Sequence, residues 1–434
     1  MDGETGRKLI DKFLQQPRSC SEGLKPYPIS LRTVNWIKFL AKHKKYPKEV
    51  VDSLYAQYLI LTKKLEYHLL GNHLLENGFS LLFGAVFFQD EKLKKLTKKI
   101  LKAELNEQIL QDGAHLELSP MYHVMLLQRA LDGYNLLKNN DHQLQDVQKQ
   151  LVEMIQKMLN WLSAVMFSNG DIPMLNDSTD GQALNPSKVM EYAEQLGFTP
   201  QESNLGDSGY RKLKAGDFEL IADVGEVGPI YQPGHAHSDT LSFVLYHNGS
   251  PIIVDRGIST YEKNQIRKEE RGTASHNTVM IQKQEQTDVW RGFRVGKRAM
   301  PIIIIDEKDQ LKATHTGYEN LGLNHIREWE VNNHEILVED EVRGKQIKAV
   351  SYLHFHPDIE IKQVSDNRFK MGTLEINIEN HHSISIENYS FCKGFNNTQQ
   401  AQKLCITFTN KLQTKILSLS RIPVGSPQKN NLGQ

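Results

Sequence analysis

The sequence predicts an α+β multidomain protein, with a helical domain over residues 1–205 followed by an antiparallel β-sandwich over 206–421. Two observations carry this. Up to residue 168 the apolar residues recur at three- and four-residue steps, the period of an amphipathic helix. From about residue 210 the period becomes two, and short strand-like runs follow one another at regular spacing, as in a β-sandwich.

The helical signals come first along the chain. "EVVDSLYAQYLILTKKLEYHLL" sets Val51, Leu54, Tyr55 and Tyr58 on one face. "KLKKLTKKILKAEL" does the same with Leu93, Leu96, Ile100 and Leu101, leaving the lysines to solvent. "SPMYHVMLLQRALDGYNLL" opens with Ser119 as N-cap and Pro120 at the first helical position. "QLQDVQKQLVEMIQKMLNWL" is a further amphipathic helix, and the short polar connectors suggest stacked antiparallel pairs. Residues 169–209 are rich in Gly, Asp, Asn, Ser and Pro and read as a linker. Beyond it, "TLSFVLYHNGSPIIVD" is a hairpin turning on Asn248-Gly249. "HNTVMI", "AMPIIII", "QLKATHTG", "HIREWEVNNHEILVEDEV", "KAVSYLHF", "LEINIE", "SISIENYS" and "KLCITFTN" continue the strand pattern, and 422–434 read as a flexible tail.

Composition narrows the function classes. The 52 basic and 52 acidic side chains cancel, so nothing electrostatic favours nucleic acid or an acidic membrane as partner. Three scattered cysteines, Cys20, Cys392 and Cys405, exclude a disulfide scaffold and a thiolate zinc ribbon. The longest apolar run, "FSLLFGAVFF", falls short of the roughly 20 residues of a membrane span. With no apolar core of signal-peptide length at its start, the chain as written is expected in the cytoplasm, or in the periplasm if a leader is missing. No glycine-rich phosphate loop follows a strand and no GxSxG is present, which disfavours nucleotide binding and the commonest hydrolase elbow.

Three clusters carry chemistry. In "GNHLLENG", His73 and Glu76 share a helix face with Asn72 beside them, at the mouth of the buried helix "LLFGAVFF". Taken alone, Asn72 is a helix cap and His73 a hydrogen-bonded core histidine. "DGAHLELSPMYH" offers His115, Glu117, Tyr122 and His123, with Tyr122 in the first turn of a capped helix; alone it is a core tyrosine. "GHAHSDTLSFVLYHNGSPIIVDRGISTY" places His235 and His237 on one side of a straight strand, Asp255 at the end of the next strand, and Tyr261 after it. His276 in "RGTASHNTVMI" adds a third imidazole, and His, Asp and His suit a divalent metal such as zinc. With a two-residue turn Asp255 pairs opposite Ser242, so "GHAHSD" must curl back for His237 and Asp255 to meet. Otherwise Asp239 and Asp255 are turn formers.

The order of these motifs, with "KPYPISLRTVNWIKFL" ahead of them, resembles the heparinase II/III-like polysaccharide lyase superfamily. The resemblance covers nearly the whole chain. It implies an incomplete (α/α) helical toroid joined to an antiparallel β-sandwich, and β-elimination on an acidic, uronic-acid-containing polysaccharide. It implies catalytic roles for His73, Tyr122, His235 and Tyr261, substrate contacts from Asn72 and Glu76, and a structural Zn2+ on His237, Asp255 and His276. Arg267 and Arg271 are candidates to face an acidic sugar, with no role carried over. Because "KPYPIS" comes only two dozen residues in, the toroid is expected to be short at its N-terminal end. The alternative expectation is a non-catalytic or weakly active carbohydrate-binding protein of surface-polysaccharide biosynthesis. The named polymer, the base and acid assignments and the oligomeric state stay open.

Overall fold

The computed structural model describes residues 2–16 and 21–419. Cys20 and the tail expected over 422–434 lie outside the described residues. The first half holds α1 (Gly3–Leu14), α2 (Pro26–His43), α3 (Lys48–Leu61), α4 (Gly71–Phe88), α5 (Glu91–Gln108), α6 (Pro120–Lys138), α7 (Gln145–Val165) and α8 (Pro186–Leu196). Successive helices double back and pack as pairs, α2 on α3, α4 on α5 and α6 on α7, forming an incomplete (α/α) toroid. Among the described residues no helix is long and apolar enough to cross a membrane.

Helix α4 is the shared wall of the toroid. Leu74, Leu81, Phe83 and Ala85 face one apolar cluster with α2 and α3, while Leu75, Phe79 and Leu82 face another with α6 and α7. A helix buried on every side must be apolar all round, as "LLFGAVFF" is. Gly84 lets Tyr58 close on it: a Cβ there would sit 2.6 Å from the tyrosine ring, whose hydroxyl donates to the Ser80 carbonyl at 3.0 Å.

The second half contains β1 (Tyr210–Ala215), β2 (Phe218–Asp223), β3 (Phe243–His247), β4 (Ser250–Ile253), the short α9 (Gln265–Glu270), β5 (Val279–Ile281), β6 (Val289–Trp290), β7 (Arg294–Val295), β8 (Pro301–Asp306), β9 (Gln310–His315), β10 (Asn324–Val331), β11 (Glu335–Arg343), β12 (Lys348–His354), β13 (Lys362–Ser365), β14 (Arg368–Met371), β15 (Leu374–Gly394) and β16 (Asn397–Ser418). Strands β1–β4 form one antiparallel sheet in sequence order, β6 and β7 a ribbon, and the rest a ten-stranded sheet. The two larger sheets meet face to face through Phe218, Leu220 and Phe243 on one side and Trp329, Val338 and Ile406 on the other. The opposite face of the small sheet lays Tyr210, Ile221, Val244 and Tyr246 against Trp161, Val165 and Phe167 of the helical half. With both faces covered, every residue of β2 and β3 is buried, which explains a strand without polar alternation.

Three details depart from the sequence expectation. The linker over 169–209 contains α8, capped by Asn185 and ended by left-handed Gly197. "LEINIE" and "SISIENYS" are parts of one strand, β15, which bends at left-handed Asn380 beside a register shift. The β3–β4 ladder carries a bulge that pairs Leu245 with Ile253, and Asp255 lies beyond its end.

A buried ion network ties the large sheet to the loops above it. Arg327 binds Asp340 through two hydrogen bonds of 2.7 and 2.9 Å and donates to the Leu241 and Asn277 carbonyls. His325 bonds the same carboxylate at 2.7 Å. Burial opposes the charge on Asp340, but Arg327 outweighs it and holds the carboxyl well below the usual range. Such a pair contributes stability above the unfolded carboxyl pKa of about 3.9 and loses it as pH falls through lower values. Arg327→Met, which strands Asp340 as a buried unpaired anion, should cost about 3–5 kcal/mol of unfolding free energy at pH 7. Denaturant titration at pH 7 checks the loss, and a falling parent stability between pH 4 and 2 checks its sign.

Candidate functional site

The entry to α4 sets the helical side of the site. Leu70 and Gly71 are both left-handed, and no side chain caps the helix from its own N-cap position. The Glu117 carboxylate serves instead, accepting the Asn72 amide N–H at 2.9 Å. An anion at a helix N-terminus meets the positive end of the peptide dipoles. A Cβ on Gly71 would lie 2.2 Å from that carboxylate oxygen, so only glycine admits the contact. Asn72 is therefore not a cap; it sits inside the first turn and lines a cleft. His73 follows, its Nδ1 bonded to Glu66 at 3.1 Å and its ring 4.5 Å from that of Tyr27.

Helix α6 supplies Tyr122. Ser119 caps the helix by accepting the Tyr122 amide N–H at 3.3 Å, and its own hydroxyl donates to the Asp177 carbonyl at 2.8 Å. That second bond draws in the segment 176–178 from the supposed linker. Asn176 donates to the Leu118 carbonyl at 3.1 Å and accepts the His237 amide N–H at 3.2 Å, so it joins the toroid to the sandwich loop.

Asp177 stands at the centre. One carboxylate oxygen bonds His235 Nδ1 at 2.8 Å, the other His237 Nε2 at 2.8 Å, and Arg267 reaches both at 2.5 and 2.7 Å. Burial opposes a charge on Asp177, but Arg267 and the two histidines keep its pKa well below the usual range. Gly234 and His235 lie in a turn closed by the Ala236 amide N–H on the Pro233 carbonyl at 3.1 Å, no strand runs through 235–237, and the two histidines part there. His235 lines the cleft, while His237 is wholly buried.

The cleft has a volume of about 590 Å³, within the size of a small-ligand site. Asn72, His73 and Tyr122 line it from the helices; His235 and Tyr261 line it from the sandwich. The Tyr122 and His235 rings lie 4.2 Å apart, and the Tyr122 and Tyr261 hydroxyls are 3.1 Å apart. Burial pushes both tyrosines well above their ordinary pKa. His235 moves the other way from a simple buried imidazole. Burial opposes its charge, yet the Asp177 hydrogen bond and the Glu117 carboxylate, 3.5 Å from Nε2, together raise its pKa.

Glu76 is not in this cleft. It accepts from Arg129 at 3.1 Å and borders a smaller adjoining cavity that shares Asn72, Tyr122 and Tyr27 with the first. His115 and His123 are fully buried, bonded to Gln108 and the Met158 carbonyl, and serve packing. Arg267 and Arg271 are buried as well, and neither lines the cleft.

Behind the cleft His237, Asp239 and His276 bring their ligand atoms within 4.8 Å of one another. His237 Nδ1, Asp239 Oδ2 and His276 Nε2 are buried without a hydrogen-bond partner. Asp255 takes a different place from the one expected. Its Oδ2 bonds His276 Nδ1 at 2.7 Å and its Oδ1 accepts the Gly257 amide N–H at 3.0 Å, so both oxygens are engaged. The bulge that carries Asp255 past the ladder puts it beside His276, and Asp239 completes the cluster. Burial pulls His237 down to about 3, while the Asp255 carboxylate outweighs burial and lifts His276 to about 8. Sequence patterns marked the histidines but missed Asp177 and Asp239, because a lone Asp in a polar loop is indistinguishable from a turn former.

Comparison with known proteins places this arrangement. The chain spans about half the length of the curated relatives it matches. It is 23% identical over 303 residues to a heparin-sulfate lyase of Pedobacter heparinus, covering 63% of this chain and 45% of that one. It is 24% identical over 344 residues to a heparin-sulfate lyase of Bacteroides stercoris, covering 70% and 50%. Among solved structures, a heparinase III superposes with a TM-score of 0.72 at 17% identity, covering 96% of this chain and 74% of that one. A chondroitin AC lyase of Streptomyces coelicolor A3 superposes at 0.53 and 9% identity, covering 91% and 67%, and shares the toroid-plus-sandwich fold. The "Heparinase II/III N-terminus" family matches residues 41–205 and "Heparinase II/III-like, C-terminal" matches 199–420. The chain belongs to the heparinase II/III-like family.

Proposed function

We propose that this chain is a polysaccharide lyase that cleaves a uronic-acid-containing polysaccharide by β-elimination. One observation carries the reading: a single cleft between the two halves gathers Asn72, His73 and Tyr122 opposite His235 and Tyr261. Its residue types suit the reaction. Removing the C5 proton of a uronide builds negative charge on the neighbouring carboxylate, and donors placed where that charge grows lower the barrier. The Asn72 amide and the His235 imidazole, whose pKa is raised by Asp177 and Glu117 against its burial, fill this role. Tyr122, kept protonated by burial, donates to the O4 leaving group, with the Tyr261 hydroxyl at 3.1 Å to return its proton. His73, held through Nδ1 by Glu66, keeps Nε2 free to accept the C5 proton.

The buried cluster behind the cleft fits a zinc ion. Two imidazole nitrogens and a carboxylate oxygen stand unpartnered, and each histidine is oriented by a carboxylate on its other nitrogen, Asp177 for His237 and Asp255 for His276. In this reading His237, Asp239 and His276 hold the ion, and Asp255 supports it from behind. When bound, zinc would supply a rigid tether for the loop that presents His235. Asp177 joins that tether to the cleft, since it bonds both histidines.

Incubation with uronic-acid polysaccharides should yield products with the ultraviolet absorbance of a C4–C5 double bond; hydrolysed ends without it would refute elimination. Tyr122→Phe removes one hydroxyl and keeps the ring, so kcat should fall by about 10²-fold or more with KM little changed. A variant with parental kcat would make Tyr122 a packing residue. Elemental analysis should find about one zinc per chain by the ligand set. Asp239→Asn should abolish that content, and Asp255→Asn should weaken it about 10- to 100-fold. Chelation should lower the melting temperature of the parent protein and leave that of Asp239→Asn unmoved. Asp177→Asn should reduce both kcat and zinc affinity, each about 10- to 100-fold; a loss confined to one of them would separate the two histidines.

A further inference from the structure

The sandwich side of the cleft ends in a ribbon, β6 and β7, whose tip is Arg291, Gly292 and Phe293. Arg291, Arg294 and the neighbouring Lys263 are exposed and line the cleft. Their side chains have no hydrogen bond or ion pair among the described residues, whereas the buried Arg267 and Arg271 are fully engaged. Among the described residues Glu117 is the only carboxylate lining the cleft, and it is buried on the helical side against Asn72 and His235. The sandwich rim therefore presents three positive charges that, among the described residues, pair with no carboxylate.

The rim is also held in place. Arg267 and Arg271 donate to the Gly292 carbonyl at 3.1 and 3.0 Å, and Arg271 reaches the Arg294 carbonyl at 3.3 Å. Arg271 also binds the Ala236 carbonyl at 2.7 Å, in the turn that carries His235. One buried guanidinium thus fixes the ribbon tip relative to the cleft histidine. Phe293 of the tip lies 6.1 Å from the His235 ring and 5.2 Å from the Tyr261 ring, offering an apolar wall beside the charges. Arg291 is left-handed, a conformation that glycine or asparagine adopts more easily.

We infer that Arg291, Arg294 and Lys263 form a subsite for an anionic group on the sugar next to the one held at His235, either a sulfate or a carboxylate. The inference rests on the lyase reading for the place of the reacting sugar. Arginine suits the task, because its planar fork pairs two N–H groups with two oxygens of either anion. The charges are set out in advance on a braced ribbon, so little ordering is needed on binding.

The test is equilibrium binding in the Tyr122→Phe background, with and without Arg291→Gln and Arg294→Gln together. The probes are a sulfated uronate–glucosamine hexasaccharide and the same hexasaccharide with its sulfates removed. The double variant should bind the sulfated probe about tenfold more weakly and with a shallower salt dependence, and its melting temperature should be unchanged. Arg291→Lys with Arg294→Lys should recover part of the affinity. A loss confined to the sulfated probe identifies sulfate as the group; an equal loss on both identifies carboxylate. Affinity within twofold of the parent for both probes, or a parent that binds neither, overturns the subsite. Product formation on the Tyr122-containing chain keeps the two ideas apart. Unsaturated product with unaltered binding in the variant removes the subsite alone, and charge-dependent binding without product removes the lyase reading alone.

Discussion

The site depends on one buried carboxylate. Asp177 is fully enclosed, and an enclosed anion is costly unless it is paired and hydrogen-bonded. Arg267 supplies the opposite charge, and two histidines use the bonding capacity that remains. Because all three partners belong to the sandwich half, whereas the Asp177 backbone is tied to the α6 cap through Ser119, satisfying this one group forces the two halves into register. The same requirement sends His235 toward the cleft and His237 away from it. The cleft and the buried cluster of His237, Asp239 and His276 thus share a wall one side chain thick.

Much of this was legible in the sequence because it follows from periodicity and chain order. The helices, the Ser119 cap, the Asn248-Gly249 hairpin and the change of period near residue 210 depend on local chemistry that neighbouring residues state openly. The motif order led to Asn72, His73, Tyr122, His235 and Tyr261, which the fold does bring to one cleft. What was hidden depends on contacts far apart in the chain. Asp177 bonds groups 58, 60 and 90 residues away. Nothing in "LNDSTD" distinguishes it from turn chemistry. Glu76 shares a helix face with His73 in the sequence, but Arg129 from α6 draws it to the neighbouring cavity.

Asp239 and Asp255 show how small a structural change can reassign a role. A straight two-residue hairpin would set Asp255 opposite Ser242, five residues past His237. The bulge between Leu245 and Tyr246 shifts that register, and the Asp255 backbone leaves the small sheet, with the preceding Val254 amide N–H donating to the His354 carbonyl. The carboxylate then backs His276 while Asp239, which reads as a turn residue, faces the imidazoles. Bulges re-aim side chains near functional sites in this way, and residue type alone gives no sign of them.

The small sheet has a consequence for how the molecule comes apart. Its strands β2 and β3 have no solvent face, one side being covered by the ten-stranded sheet and the other by Trp161, Val165 and Phe167 of the toroid. The boundary that composition marks near residue 205 is therefore not a boundary of cooperativity. Peeling the helices away would expose a continuous apolar surface and break the Asp177 pairings in the same step, so hinge-like opening at the cleft is opposed by the core itself. Access to the cleft then relies on side-chain movement at its rim rather than on domains that swing apart.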